Sequence, residues 1–300
     1  MIAPKTQNDA PITHVQTAKI ITQCFSLTPI SSNLTEIVVS SAIHSRVVSQ
    51  ITLTPAELRF YQEEGYLPLP GFVRADAVAK LYDETFDALE ANGVTRASLS
   101  KATTTADKLR QCSQYLPGSA LDELINSQAS LSVASQLIGG PAHRYLPFTA
   151  VKAAGGGGRF DFHQDNNYTN HDPALGSINI WVALVDMTPE NGCLMIVPRS
   201  HLKGQLASHN STDGDGHQAT EVDPMTTLPI RMRAGDAVAF TRWTVHGSGA
   251  NTTDKPRAAY ALQYHREDVK WLDKKTGQWK PLLGNPVLST APVPKLGPQT

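Results

Sequence analysis

The run "RFDFHQDNNYTNHDP", Arg159–Pro173, holds His163 and Asp165 two positions apart. In a strand, alternate side chains share a face, so the pair would project together while Gln164 turned to the other side. A histidine followed two places later by an aspartate also arises by chance in a chain of ordinary composition. Alone, the pair reads first as surface residues hydrogen-bonded to each other. His246, in the strand-like run "DAVAFTRWTVHGSG" after a tight turn at Ala234–Asp236, offers a third ligand. Two imidazoles and one carboxylate on one face, with coordination positions left open, form the facial triad that holds non-heme Fe(II) for oxygen chemistry. Zinc takes the same ligands in hydrolases, so the triad by itself leaves the metal open. Arg257 lies eleven residues beyond His246, at the head of "PRAAYALQY". From there a guanidinium could reach back and grip a carboxylate with two parallel hydrogen bonds. In isolation it would be a surface arginine at a strand end.

The elements around these residues fall into two textures. Thr54 before "PAELRFYQEEG" is an N-cap with Pro55 in the first turn, and Gly65 supplies the stop. "RADAVAKLYDETFDALEANG" spaces Val78, Leu81, Tyr82, Phe86 and Leu89 as one face of a second helix. "ALDELINSQASLSVASQLIG" reads as a third, and the polar segment between them as a long loop. From His143 onward, short apolar runs alternate with turn signals such as "PENG" and "RAGD". That spacing predicts an antiparallel barrel or two-sheet jelly roll, so the fold class is mainly β with flanking helices. The expected boundaries are an N-terminal extension over 1–50, a jelly-roll domain with its helices over 51–270, and a proline-rich tail over 271–300.

Bulk composition narrows the partners. The formal net charge is −1, with 26 basic and 27 acidic residues evenly mixed, so there is no basic stripe for nucleic acid and no polybasic membrane patch. No run of apolar residues is long enough to span a bilayer. Cys24, Cys112 and Cys193 are odd in number and far apart, which argues against a disulfide framework or a cysteine zinc site and fits a reducing, cytoplasmic compartment. The first fifty residues are rich in Ser, Thr and Ile and poor in charge, but a transit peptide would carry more arginine. The expected partner is a small molecule, and a homodimer is left open.

With "LRFYQEEGYLPLPGF", "HQD", "SINIWVALVDMTPENGCLMIVPRSHLKG" and "RAGDAVAFTRWTVHGSGANTTDKPR" in that order, the chain resembles the phytanoyl-CoA dioxygenase family of Fe(II)- and 2-oxoglutarate-dependent oxygenases over roughly Leu53 to Asp268. The resemblance implies a double-stranded β-helix, cupin-like core. It implies His163, Asp165 and His246 as iron ligands and Arg257 as the clamp on the distal carboxylate of 2-oxoglutarate. Ser248 matches a hydroxyl that assists the clamp, and Gln164 and Trp181 match positions lining the cosubstrate pocket, although a tryptophan on a barrel strand could equally be core. Lys152 sits where many members carry a lysine; its expected role is a solvated one. Relatives that halogenate replace the carboxylate by a small residue, so Asp165 points to hydroxylation, with O2 and 2-oxoglutarate consumed and succinate and CO2 released.

Substrate candidates are the residues flanking the triad: Arg159, Phe162, Asn166, Asn167, Tyr168, His171 and Trp243. Polar groups among aromatics suggest a functionalised small molecule, such as a secondary-metabolite intermediate, ahead of the acyl-CoA substrates also found in the family. "LSKATTTADKLRQC" and "SHNSTDGDGHQATEVDP" are lid candidates, with His209 and His217 expected to be exposed. A zinc hydrolase and a non-catalytic binding protein on the same barrel are the competing readings. Arg257 and the lack of a general-base glutamate near "HQD" speak against the first, and the intact ligands against the second.

Overall fold

In the computed structural model of the chain, residues 45–100, 109–110 (backbone only), 112–113, 115–210 and 218–283 are described. The helical part begins with α1 (Pro55–Glu64), where the Thr54 hydroxyl accepts the Glu57 amide and the Glu57 carboxylate accepts the Thr54 amide. This reciprocal cap contributes about 1 kcal/mol. Gly65 ends the helix at φ 81, as its position in the sequence suggests, and a Cβ there would collide with the ring of His201. α2 (Val78–Glu90) buries Leu81, Phe86 and Leu89. The polar segment that follows carries a short α3 (Arg96–Leu99) as well as loop, and its residues 101–108 lie outside the described residues.

The third expected helix is two: α4 (Ala120–Asn126) and α5 (Gln128–Ile138). Ser127 breaks it with an extended backbone (ψ 146) while its hydroxyl accepts the Ser130 amide, so one residue closes the first helix and caps the second.

The strands form two facing sheets. The larger runs β1 (Tyr66–Leu69), β12 (Ala237–Thr241), β7 (Ser177–Ala183), β14 (Arg257–Arg266), β4 (Phe148–Lys152) and β2 (Leu109–Arg110), with β3 (Ala142–Arg144) also pairing β14. The smaller runs β11 (Leu228–Pro229), β8 (Leu194–Ile196), β13 (His246–Ser248) and β5 (Phe160–His163). Every pairing within these two sheets is antiparallel, as is that of a separate ribbon, β9 (His209–Asn210) with β10 (Gln218–Ala219). This is the jelly-roll, cupin-like β core that the turn spacing and the resemblance predict.

Side-chain alternation sorts the large sheet between two cores. Ile178, Ile180 and Val182 of β7 and Ala258, Tyr260, Leu262 and Tyr264 of β14 pack in the cluster that holds the helices. Trp181, Ala183, Val238, Phe240, Ala259 and Ala261 turn the other way, toward Leu194 and Ile196 of the small sheet. β7 and β14 are therefore buried on both faces, which is why apolar residues stand on both faces of each.

Both expected boundaries shift. Val47 and Val48 are buried, and Val48 bridges to Val73, so the packed chain starts before residue 51; residues 1–44 lie outside the described residues. The chain beyond 270 does not begin a tail. β15 (Lys270–Asp273) and β16 (Gln278–Pro281) form a hairpin that adds to β6 (His171–Asp172), and Leu282 packs with Tyr145 and Val269. Residues 284–300 lie outside the described residues. No helix among the described residues is long and apolar enough to cross a membrane.

Candidate metal and cosubstrate site

His163 ends β5 and His246 opens β13, and the antiparallel register sets the two residues directly opposite each other. Their rings stand 4.4 Å apart, centroid to centroid. Each ring uses Nδ1 against a backbone carbonyl, His163 with Asp161 O at 2.7 Å and His246 with Thr244 O at 2.9 Å. A carbonyl accepts only from a protonated nitrogen, so it is Nε2 of each neutral ring that can serve a metal.

Asp165 arrives differently from the strand-alternation expectation. The strand stops at His163, and Asp165 begins a 3₁₀ turn to Asn167, pinned by Asn167 N–H to Gln164 O (2.9 Å) and Tyr168 N–H to Asp165 O (3.2 Å). The turn, not the pleat, carries the carboxylate to 3.6 Å from His246 Nε2. Ligand atoms of His163, Asp165 and His246 all lie within 4.8 Å of one another. Burial alone would push the Asp165 carboxyl up, but His246, Arg242, His163 and a hydrogen bond from Asn179 outweigh it and hold the carboxyl below the usual carboxylate range. A buried cluster of two imidazole nitrogens and an anionic oxygen suits a divalent cation such as iron.

Arg257 heads β14 and is 2% exposed. Its Nη1 donates to Ala150 O at 2.9 Å, its guanidinium lies 5.1 Å from the Trp181 ring centroid, and its Nε has no acceptor. Burial pushes its pKa down to about 9, which leaves it cationic at neutral pH. A buried guanidinium with an unanswered donor and no carboxylate partner among the described residues fits an incoming carboxylate. The distal end of 2-oxoglutarate is such a group.

Lys152 is fully buried, not solvated. It is the register partner of Arg257 across β4 and β14, and its ammonium donates to Ser248 Oγ (2.8 Å) and to Gly249 O. Burial first and the neighbouring Arg257 second hold its pKa well below the ordinary lysine value. Ser248 is thereby oriented by Lys152 while lining the cavity.

A cavity of about 400 Å³ joins these parts. His163, Asp165, His246, Arg257, Ser248, Trp181 and Tyr168 all line it; Gln164, Phe162, Asn166, Asn167, His171, Trp243 and Arg159 do not. Gln164 is buried away from it, donating to Gly204 O (2.8 Å) and Trp243 O (2.6 Å) and accepting from Leu206 N (2.8 Å). Asn167 accepts from Gln205 and, through its carbonyl, from Lys274 at 3.0 Å. The Phe162 carbonyl accepts the Thr220 amide, and Phe160 lines the cavity in its stead. Tyr168 sets its ring edge-on to His163 at 5.2 Å. His209 is exposed, whereas His217 and the middles of both candidate lids lie outside the described residues.

Several lining residues escaped the sequence reading: Phe148, Asn179, Leu194, Phe240, Arg242 and Gln263. Asn179 and Gln263 carried a usable signal, because each is a lone amide inside an apolar strand, "SINIWV" and "AAYALQY".

The chain is similar to several known proteins. L-proline trans-4-hydroxylase of Streptomyces griseoviridis is 26% identical over 236 residues, covering 71% of this chain and 87% of the relative. Methylphosphonate hydroxylase of Gimesia maris is 28% identical over 217 residues, covering 71% and 81%. The crystal structure of EvdO2 from Micromonospora carbonacea var. aurantiaca complexed with 2-oxoglutarate shares the fold at a TM-score of 0.57, with 24% identity over 73% of this chain and 93% of that one. The family profile described as Phytanoyl-CoA dioxygenase (PhyH) matches residues 61–259, a span that contains the three metal-ligand candidates and Arg257. With the jelly roll, the buried His–Asp–His cluster and the unanswered guanidinium behind it, that match places the chain in the phytanoyl-CoA dioxygenase family of non-heme iron, 2-oxoglutarate-dependent oxygenases.

Proposed function

We propose that this enzyme hydroxylates an unactivated C–H bond of a compact, functionalised small molecule, of the kind tailored in secondary metabolism. In this reading His163, Asp165 and His246 hold iron, and Arg257 and Ser248 hold the distal carboxylate of 2-oxoglutarate against Trp181. When bound, iron supplies the chemistry that couples decarboxylation of 2-oxoglutarate by O2, to succinate and CO2, to insertion of the second oxygen atom into a C–H bond. The chain's own residues position and exclude. The two Nδ1–carbonyl bonds fix the imidazole planes, the Gln164-anchored turn fixes the carboxylate, and Phe148, Leu194 and Phe240 keep water from the cavity walls. No side-chain general base is required.

The observation that carries the substrate class is the cavity. Its volume of about 400 Å³ must hold the cosubstrate as well, and its wall mixes aromatic and aliphatic groups with a few polar ones, among them Tyr168, Asn179, Arg242 and Gln263. That leaves room for a small polar molecule beside the metal. The relatives named for L-proline and methylphosphonate hydroxylation support this scale of substrate. The partner is then a small molecule, not nucleic acid or a membrane, and three cysteines, odd in number and far apart in sequence, suit a reducing cytoplasm.

The test is a substrate screen by mass spectrometry with Fe(II), 2-oxoglutarate and O2. The expected outcome is a gain of one oxygen atom on a small polar compound, matched by succinate. Turnover confined to acyl-CoA thioesters would replace the substrate class. Hydrolysis supported by zinc without O2 would overturn the reaction.

A further inference from the structure

Arg242 follows β12 and is 2% exposed, yet it lines the same cavity as the triad. Its Nη2 donates to Asp165 O (2.9 Å), Thr169 O (2.9 Å) and Thr169 Oγ1 (2.8 Å), and its Nε reaches Asn166 Oδ1 at 3.4 Å. Every one of these acceptors is neutral. Nη1 has no acceptor among the described residues, and no carboxylate among them forms an ion pair with this guanidinium. The side chain is nevertheless held in one place, with its Cζ 5.8 Å from the ring centroid of Tyr145, itself a lining residue.

A buried cation without a counter-anion is costly, and chains keep one where a ligand supplies the charge. The cavity holds two such guanidinium groups, on different elements. The Asp165 carboxylate feels the Arg242 charge but makes no ion pair with it, and stands instead against His246. In the proposed function that carboxylate is taken up by the metal and Arg257 by the distal carboxylate of the cosubstrate, which leaves Nη1 of Arg242 facing the cavity for another anion.

We infer that Arg242 is a specificity residue that binds an anionic group of the substrate, a carboxylate or a phosphonate or phosphate. This inference rests on the proposed function and deepens it by naming the substrate's charge. The reach is short, because Arg242 grips the main-chain carbonyl of Asp165, the residue whose side chain faces the metal position. The anion and the oxidised carbon must therefore be close neighbours in one compact molecule. A planar guanidinium already fixed by three bonds loses little freedom on accepting such a group, so the contact favours anions strongly over their neutral analogues.

The experiment uses the full-length protein with Fe(II) and 2-oxoglutarate under anaerobic conditions. Calorimetry measures binding of a panel of small amino acids, other carboxylates and phosphonates against the amide or methyl ester of each. The expected result is that acids bind about tenfold to a hundredfold more tightly than their neutral partners, the scale of a charge-assisted hydrogen bond lost. R242Q should erase that ratio and R242K should keep part of it, whatever happens to overall affinity. Reading a ratio within each variant separates charge recognition from a merely structural role at the Asp165 turn. Equal binding of acids and neutral analogues, binding of the neutral members alone, binding of no anion in the panel, or an unchanged ratio in R242Q overturns the inference. Succinate formation from 2-oxoglutarate by the native enzyme is measured in parallel. If it persists while the ratio fails, only the substrate charge is wrong; if it is absent, the proposed function itself fails.

Discussion

His163 and His246 face each other as register partners, so each imidazole is held both by its strand and by its own carbonyl contact. His163→Ala and His246→Ala should each abolish 2-oxoglutarate-dependent succinate formation and remove tight Fe(II) binding in an anaerobic titration. Wild-type iron affinity in either variant would take that residue out of the site. Arg257→Ala should instead spare iron binding and weaken 2-oxoglutarate about tenfold to a hundredfold, as expected for losing charge-assisted hydrogen bonds in a buried pocket. Lys152 gives a pH signature. Its native pKa is depressed, so the unfolded chain binds the extra proton between that value and the ordinary 10.5, and stability must rise with pH across this window. Lys152→Met removes the term, so urea unfolding at about pH 8 and about pH 10 should show a steeper gain for the native protein than for the variant. Parallel slopes would mean that Lys152 keeps its proton. Residue type and spacing singled out His163, Asp165, His246 and Arg257, and the fold brings the four to one cavity. The burial of Lys152 and Arg242 was not, because a lysine or arginine reads as solvated until the fold closes over it.

At the scale of elements, the register of β5 against β13 and the turn after His163 divide the labour. The strand sets His163 and the turn sets Asp165, so "HQD" straddles a boundary between the two. Gln164 is the pivot, tying the turn to the 204–206 segment and to Trp243 with its amide. Gln164→Ala strands the Leu206 amide and two carbonyls and should cost about 1–3 kcal/mol in urea unfolding. The affinity for 2-oxoglutarate should stay within about twofold once the variant is folded. A selective loss of cosubstrate affinity without loss of stability would return Gln164 to the pocket the resemblance implied. The jelly roll was readable from turn signals because those depend on local backbone chemistry. Strand faces were harder to read: β7 and β14 are buried on both sides, so alternation in them does not mark a solvent face. The break at Ser127 was masked for a similar reason, since serine is tolerated inside a helix and only its hydroxyl's partner reveals the cap.

At the scale of the whole molecule, the catalytic barrel depends on chain that looked expendable. The hairpin β15–β16 extends β6, and Leu282 and Val269 pack against Tyr145, which lines the cavity. Lys274 of the same hairpin donates to Asn167 O, two residues from Asp165. The proline-rich segment "GNPVLSTAPVPKLGPQT" made all of 271–300 read as a tail, because a two-stranded ribbon ahead of it buries too little to announce itself by pattern. Its removal should act on the substrate end of the cavity before it acts on the metal. Leu282→Ala deletes a side chain that is 1% exposed and should cost about 2–5 kcal/mol, seen as a lower urea midpoint. A chain ending at Val269 should lose more stability than that and lose substrate-dependent succinate formation. Its anaerobic Fe(II) binding should persist wherever the protein stays folded, because His163, Asp165 and His246 are set by β5, β13 and their turn. Undiminished stability and turnover in the shortened chain would restore the boundary at 270 and make the hairpin an accessory to the barrel.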